Sequence, residues 1–175
     1  ARVKAAKNER DGKVRTLFPR RWLGVAAAIV LLLSAGWWYW YSLMPTVATG
    51  VAQHKEVVLP DASEIALNAG SSLQYEEDNW DRQRRIRLEG EAFFKVAKGR
   101  TFTVETDAGT VQVLGTQFNV LQRADIFIVS CYEGLVRVDF KGESLELPAG
   151  TEYRVVGTKA GKIALQPGGT PGWTQ

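Results

Sequence analysis

Residues 22–44 read WLGVAAAIVLLLSAGWWYWYSLM, and no Asp, Glu, Lys or Arg occurs from position 22 to position 53. As a helix rising 1.5 Å per residue, this run would extend about 34 Å, enough to cross a hydrocarbon core about 30 Å thick. Tryptophans stand near both ends of the run, where amphipathic rings favour the level of the lipid headgroups. The sequence therefore predicts one transmembrane helix over residues 22–44, with four residues at the membrane interface: Trp22, Trp37, Trp38 and Trp40.

Positive charge is concentrated before this helix. Residues 1–21 hold eight Lys or Arg and two acidic residues, whereas the rest of the chain holds fourteen Lys or Arg and seventeen acidic residues. Because an excess of Lys and Arg is retained on the cytoplasmic side, residues 1–21 are predicted to be a cytoplasmic juxtamembrane segment. The alternative is a nucleic-acid-binding tail, but the segment directly precedes the apolar run, so membrane topology explains its charge better.

A cleaved signal peptide is the competing interpretation of the apolar run. Residues 23–35 would be its apolar region, and Ser34 and Gly36 are small residues near a cleavage point. Aromatic residues follow where a polar mature N-terminus should begin, and the chain starts with Ala rather than Met. We therefore expect an uncleaved anchor, with residues 1–21 as the remnant of a longer cytoplasmic region.

The period of the hydrophobic pattern changes to two after the apolar run. Residues 45–53, PTVATGVAQ, are predicted to be a linker, and the run IRLEGEAFFKV at residues 86–96 alternates in the manner of a strand. Residues 76–85 are charged almost throughout and are predicted to form a solvent-facing loop. No long helical period occurs after residue 44, so residues 54–165 are predicted to form an all-β domain.

Short internal repeats indicate how these strands are arranged. The run LEGEA at residues 88–92 resembles YEGLV at 132–136, and LPDASE at 59–64 resembles LPAGTE at 147–152. Such repeats favour a winding of short antiparallel strand–turn units, as in a β-solenoid or roll, over a closed barrel. Residues 166–175, QPGGTPGWTQ, are predicted to be a linker to a further C-terminal domain.

The sequence contains no signature of catalysis, of metal binding or of a cofactor. His54 is the only histidine and is expected to be solvated, and Cys131 lies in an apolar run without a neighbouring base, as a buried residue would. The acidic residues at 76–81 lack the ordered spacing of a calcium loop. Trp80, in the same segment, is expected either to be an exposed contact residue or to fold back onto the sheet.

Five motifs carry a resemblance to a known family: LPDAS at 59–63, LNAGS at 67–71, LEGEAFFKV at 88–96, VLGTQFNV at 113–120 and EGLV at 133–136. In this order they resemble the FecR family of inner-membrane sigma-factor regulators, in the form common in the Bacteroidetes group. The resemblance covers about residues 51–156. Ala62 stands where the family usually has Gly after the Pro-Asp pair.

The resemblance implies a non-enzymatic signal relay. Such a protein receives a signal from the signalling domain of a TonB-dependent outer-membrane transducer and passes it to an extracytoplasmic-function sigma factor. It is expected to cross the inner membrane once, with a cytoplasmic N-terminus and a periplasmic C-terminal domain, and not to bind nucleic acid directly. No catalytic, cofactor or metal residues are implied.

The matched motif residues are expected to determine the fold. They are Leu59, Pro60, Asp61, Asn68, Gly70, Gly90, Glu91, Phe94, Gly115, Thr116, Phe118, Asn119, Glu133 and Gly134. Two alternatives to the relay stay open from the sequence. One is a membrane-anchored periplasmic carbohydrate-binding module with Trp80 and Tyr75 as sugar platforms, and the other is an envelope scaffold.

Overall fold

A computed structural model of the chain describes residues 20–42, 46–50, 53–165 and 170–174. The chain forms two units, Ala1–Leu43 and Met44–Gln175. In the first unit, the helix α1 (Arg20–Ser42) is 23 residues long. Its sequence is rich in Ala and Leu, which have high helix propensity, and contains no Pro.

The described side chains of α1 from residue 27 to residue 39 are exposed, with Trp37 and Trp38 each 75% exposed. The side chains of Trp22 and Trp40 lie outside the described part of the structure. No helix in the ranges described above combines the length and the apolar character that a membrane crossing requires. The transmembrane prediction is not confirmed by the structure.

The second unit is built from strands. They are β1 (Thr46–Ala48), β2 (Lys55–Val58), β3 (Glu64–Leu67), β4 (Ser72–Tyr75), β5 (Arg84–Lys95), β6 (Phe102–Glu105), β7 (Gly109–Val113), β8 (Gln117–Arg123), β9 (Ile126–Glu133), β10 (Leu135–Phe140), β11 (Glu143–Pro148), β12 (Thr151–Val156) and β13 (Lys159–Ala164). A short 3-10 helix, Gly172–Thr174, follows. The prediction of a β fold is confirmed, and β1 lies within residues 45–53, which were predicted to be a linker.

The thirteen described strands form one sheet that curls like a half-barrel, so that it has two layers. The first layer has the order β11-β10-β7-β6-β5-β4-β1, and the second has the order β13-β12-β9-β8-β5-β3-β2. β5 belongs to both layers. Its residues 84–89 pair with β6 and β4, and its residues 90–95 pair with β8 and β3.

Successive hairpins alternate between the two layers. The pairs β6–β7 and β10–β11 lie in the first layer, and the pairs β8–β9 and β12–β13 lie in the second. Among the described strands, only β5 and β6 pair in parallel. The strand–turn units therefore wind as in a roll, whereas the parallel stacking of a solenoid is not formed.

The repeat of Glu-Gly has a structural counterpart. Gly90 lies where β5 passes from the first layer to the second, and Gly134 lies where the chain passes back from β9 to β10; their φ angles are 97° and 84°. The repeat of LPDASE and LPAGTE has no such counterpart. LPDASE forms a turn within the second layer, whereas LPAGTE connects the first layer to the second.

One core fills the space between the layers. Alternate residues of β5, β6, β8 and β9 point into it, and the rings of Phe94 and Phe118 stack with centroids 4.8 Å apart. Phe127 of the second layer stacks on Phe140 of the first at 5.6 Å. Burying a Phe side chain stabilises a fold by about 1.5–3 kcal/mol; the Phe94–Phe118 pair lies within the second layer, and the Phe127–Phe140 pair holds the two layers together.

We predict that Gly90→Ala destabilises the protein more than Gly70→Ala. A Cβ at Gly90 would lie 2.8 Å from the backbone Cα of Ser71, whereas a Cβ at Gly70 meets no atom within 4 Å. Both positions have positive φ, so the backbone cost of about 1–2 kcal/mol is shared, and overpacking adds about 1–3 kcal/mol at Gly90 alone. Urea unfolding measures the difference, and equal losses of unfolding free energy would contradict it.

Candidate functional site

The predicted motif residues fall into three clusters, and the first is centred on Glu91. The Glu91 carboxylate accepts hydrogen bonds from Asn68 Nδ2 at 2.7 Å and from Asn119 Nδ2 at 2.9 Å. Asn119 is a buried polar residue, so its amide group needs a hydrogen-bond partner within the protein, and Glu91 provides it. The structure therefore brings together three residues that lie far apart in the sequence.

The C-terminal segment 170–174 contacts the same carboxylate. Trp173 donates from Nε1 to Glu91 Oε1 at 3.0 Å, and its ring stacks on His54 with centroids 5.8 Å apart. Pro171 in this segment is buried. The segment thus lies against the β domain, and His54, predicted to be solvated, is exposed but covered on one face by an indole ring.

A groove of about 590 Å³ runs beside this contact. Its lining includes β2, one of the two edge strands of the second layer, together with Phe93 and Lys95 of β5 and Trp173 of the C-terminal segment. Both acidic and basic side chains line the groove, and Glu64 pairs with Lys95 at 3.4 Å. The groove is therefore open and of mixed charge, without a cluster of reactive groups.

The second cluster joins Asp61 to Arg84. Arg84 donates from Nε to Asp61 Oδ2 at 2.6 Å, and its Nη2 also donates to the same carboxylate. The remaining guanidinium donors reach the backbone carbonyls of Ala97 at 3.0 Å and Arg100 at 2.7 Å. Its Cζ lies 5.4 Å from the centre of the Phe102 ring, so the charged group is buried on an aromatic face.

Asp61 also closes the turn between β2 and β3. Its side chain accepts a hydrogen bond from the backbone N–H of Ser63 at 3.1 Å, and Ala62 adopts a φ of 64°. That left-handed conformation explains why Gly is usual at this position of the motif. Partial burial opposes ionisation of Asp61, but the hydrogen bonds from Ser63 and Arg84 outweigh it, so the pKa of Asp61 is lowered.

The third cluster surrounds the crossing at Gly134. A Cβ at Gly134 would lie 3.0 Å from Thr116 Oγ1 and 3.2 Å from the carbonyl oxygen of Gly115. Thr116 Oγ1 donates to the Leu135 carbonyl at 3.2 Å, and Gln117 donates to Glu133 at 2.6 Å. Of the remaining motif residues, Leu59, Phe94 and Phe118 are buried in the core, Pro60 is exposed in its turn, and Gly70 has a φ of 61°.

The described residues hold no catalytic or metal-binding arrangement that we can identify. Within the described ranges, no group of three His, Cys, Asp or Glu side chains is placed to hold a metal ion. Cys131 is buried as predicted, and this burial raises the pKa of its thiol to about 11, so it is not a nucleophile at neutral pH.

Trp80 folds back onto the sheet. It is 3% exposed and makes edge contacts with Tyr75 at 5.6 Å and Phe102 at 5.8 Å. A buried indole offers no surface for stacking a sugar, so the sequence-based hypothesis of Trp80 as a sugar platform is wrong. The prediction of a solvent-facing loop over residues 76–85 is also wrong at its end, because β5 begins at Arg84 and Arg84 is buried.

The roles of three residues in these clusters were not predicted from the sequence, although Ser63 and Ser71 lie in the quoted motifs. Ser63 and Ser71 each bridge strands through their hydroxyl groups, and Trp173 was assigned to a linker. The available signals were a Ser directly after each turn and an isolated Trp among Gly, Pro and Thr. Neither signal identifies a partner, because the partners lie 20 to 82 positions away in the chain.

Comparison with known proteins adds to this geometry. A family model described as FecR protein matches residues 45–137, which is more than half of the chain. The chain belongs to the FecR family. The sequence-based assignment to this family is thus confirmed.

Two solved structures resemble this FecR chain. Both are crystal structures from Parabacteroides distasonis, at 2.50 Å and 1.65 Å resolution, of a protein described as a candidate anti-sigma factor. They are 31% identical to this chain with TM-scores of 0.67 and 0.66, and the match covers 70% and 69% of it. The match covers 61% and 60% of those chains, less than two thirds of their length. No curated protein sequence matches the chain.

We predict that Glu91 and Trp173 are energetically coupled in this FecR protein. Glu91→Leu removes the acceptor of the Asn68, Asn119 and Trp173 donors, which should cost about 1–3 kcal/mol, and Trp173→Phe should cost about 1 kcal/mol. Because both changes remove the same hydrogen bond, the double variant should lose less unfolding free energy than the sum of the two. Trp80→Phe is the matched control, since Trp80 Nε1 has no described partner and its cost should add fully.

A second prediction concerns the pH dependence of stability. Asp61→Asn leaves the buried Arg84 without its counter-ion and should cost about 2–3 kcal/mol at pH 7. Because folding lowers the pKa of Asp61, its contribution is present above the unfolded-state value of about 3.9 and is lost as the pH falls through the lower folded-state value. The gap between wild type and variant should therefore narrow below about pH 4.

Urea unfolding at a series of pH values measures this gap. Glu64→Gln is the control, because the Lys95–Glu64 pair is exposed on both sides and should contribute about 0–1 kcal/mol at any pH. A gap between wild type and Asp61→Asn that stays constant down to pH 2 would show that the ion pair is not its cause.

Proposed function

We propose that this FecR protein is a single-pass inner-membrane regulator that relays a periplasmic signal to an extracytoplasmic-function sigma factor. The observation that carries the proposal is the family match over residues 45–137, together with 31% identity to a structure described as a candidate anti-sigma factor. The β domain binds a partner instead of transforming a substrate. Its partly buried polar groups fix turns and strand crossings, as the Glu91 and Asp61 clusters illustrate.

Membrane anchoring is supported by sequence and by surface character. Residues 22–53 carry no Asp, Glu, Lys or Arg, and a basic segment precedes them. The apolar side chains of Val30, Leu31, Leu32 and Leu33 on α1 are each more than 60% exposed. An apolar surface of this kind is stabilised by lipid rather than by water. In the proposed topology the N-terminus is cytoplasmic and the β domain is periplasmic.

The proposed partners lie on opposite sides of the membrane. On the periplasmic side, the β domain receives the signal from the signalling domain of a TonB-dependent outer-membrane transducer. On the cytoplasmic side, the protein contacts the sigma factor. This division follows from the proposed topology. A protein with a folded domain on one side of the membrane and a basic segment on the other can bind one partner in each compartment, which a soluble protein cannot do.

Copurification tests the proposal. The full-length protein, tagged and coexpressed with an extracytoplasmic-function sigma factor of the same organism, should retain that sigma factor when purified from the detergent-solubilised membrane fraction. Val30→Arg combined with Leu33→Arg should move the protein out of the membrane fraction, because each Arg at the centre of a span costs about 3 kcal/mol.

The control replaces the same two residues with Ala, which shortens the side chains without adding charge. This variant should stay in the membrane fraction with its sigma factor. Recovery of the wild-type protein from the soluble fraction would contradict the anchor. Failure of the membrane-bound protein to retain any sigma factor in pairwise coexpression would contradict the regulatory role.

A further inference from the structure

A cationic groove lies on the first layer, beside the cluster of Asp61 and Arg84. Its volume is about 490 Å³, four of its lining residues are arginines, and no acidic residue lines it. They are Arg82, Arg84, Arg85 and Arg100. Such an imbalance is unusual in this protein, because the groove beside β2 has acidic and basic side chains together.

The four arginines differ in their existing partners. Arg84 is neutralised by Asp61, and Arg85 is 3.1 Å from Glu105. Within the described part of the chain, neither Arg82 nor Arg100 has a carboxylate at ion-pair distance. Both side chains are exposed, so their charges are available to a partner.

Buried Arg84 fixes the position of this surface. Its guanidinium donates to the carbonyls of Ala97 and Arg100, so it holds the loop that carries Arg100. On the other side of the loop, the backbone N–H of Gly99 donates to the Leu114 carbonyl at 2.9 Å. The exposed guanidinium of Arg100 is therefore presented on a loop that is tied at two points and needs little ordering on binding.

An apolar groove continues from the cationic one. It has a volume of about 290 Å³ and shares Thr101 and Leu114 with the first. Leu114 and Leu135, which both line it, are 63% and 49% exposed. Exposed leucines beside unpaired arginines indicate a surface for a partner that offers both carboxylates and apolar side chains.

The strand register gives the length of the combined groove. Arg85, Thr103, Gln112, Arg137 and Glu146 are successive cross-strand neighbours on β5, β6, β7, β10 and β11. Five strands about 4.8 Å apart span about 19 Å, which an extended chain covers with about six residues.

We propose that this surface docks an acidic segment of a partner protein. The segment is about six residues long, with its carboxylates over Arg82 and Arg100 and an apolar side chain between Leu114 and Leu135. The positive charges of Arg82 and Arg100, which no carboxylate in the groove lining balances, favour an acidic segment as the ligand. The inference is independent of the proposed sigma-factor role, since it concerns the β domain alone.

Fluorescence anisotropy tests the proposal with the full chain in a non-ionic detergent. The probe is a labelled hexapeptide, Asp-Glu-Asp-Gly-Leu-Leu, and empty micelles give the baseline. The peptide should bind, and binding should weaken as the salt concentration rises. Replacing its acidic residues with Asn and Gln, or its leucines with Ser, should weaken binding about tenfold and severalfold, respectively.

Protein variants locate the site. Arg82→Glu and Arg100→Glu should each weaken binding about tenfold, and Leu114→Ser severalfold. Lys159→Glu makes the same charge change at an exposed position of β13 and should leave binding unchanged. Arg100→Gln, which removes the charge without reversing it, should give an intermediate loss. Urea unfolding of each variant checks that the fold is retained.

Three results would overturn the proposal. One is equal binding of the acidic and the amide peptides, and another is equal loss in Lys159→Glu and Arg100→Glu. The third is absence of peptide binding while vesicles of phosphatidylglycerol bind through Arg82 and Arg100, which would assign the surface to lipid headgroups.

Discussion

The close approach of Gly90 and Ser71 is the contact on which the rest of the β domain depends. At Gly90 the strand β5 leaves one layer and enters the other, and the Ser71 hydroxyl accepts a hydrogen bond from the backbone N–H of Glu91 at 2.9 Å. No side chain fits at position 90, because its place is taken by Ser71. Since β5 pairs with four other strands, the direction that it takes after Gly90 sets the register of both layers.

Polar side chains fix the positions of the turns and of the C-terminal segment, which the crossing at Gly90 does not determine. The hydrophobic core requires only that alternate residues point inward, and it does not specify how the turns and the C-terminal segment lie on the sheet. Glu91 specifies the position of the β3–β4 turn through Asn68 and that of the C-terminal segment through Trp173. Arg84 fixes the turn after β2 through Asp61 and the loop before β6 through the carbonyl of Arg100. Both groups are satisfied by several partners, which limits the cost of burying them.

Sequence patterns predicted those parts of the structure that depend on local chemistry. Alternation identified the β region, and the repeated Glu-Gly pair indicated a wound fold. The structure shows that Gly90 and Gly134 of these pairs lie at the two crossings, where the positive φ favours Gly. The burial of Arg84 was not predictable, because a run of charged residues is normally solvated, and only the distant Asp61 and Phe102 make burial favourable here. The contacts of Trp173 were not predictable for the same reason, because its partners, Glu91 and His54, lie far from it in the sequence.

The arginines of this domain separate into those that the fold uses and those that it does not. Arg84 is buried and donates to Asp61 and to the carbonyls of Ala97 and Arg100, so its charge is already paired and its loss would act on stability. Arg82 and Arg100 lie at the mouth of the same groove, yet the described residues around them include no counter-ion, so their charges raise the local potential. Unpaired charges of the same sign repel each other and so do not stabilise a fold. Their placement is therefore better explained by binding than by folding, and the buried Arg84 beneath them holds the loop that keeps Arg100 in place.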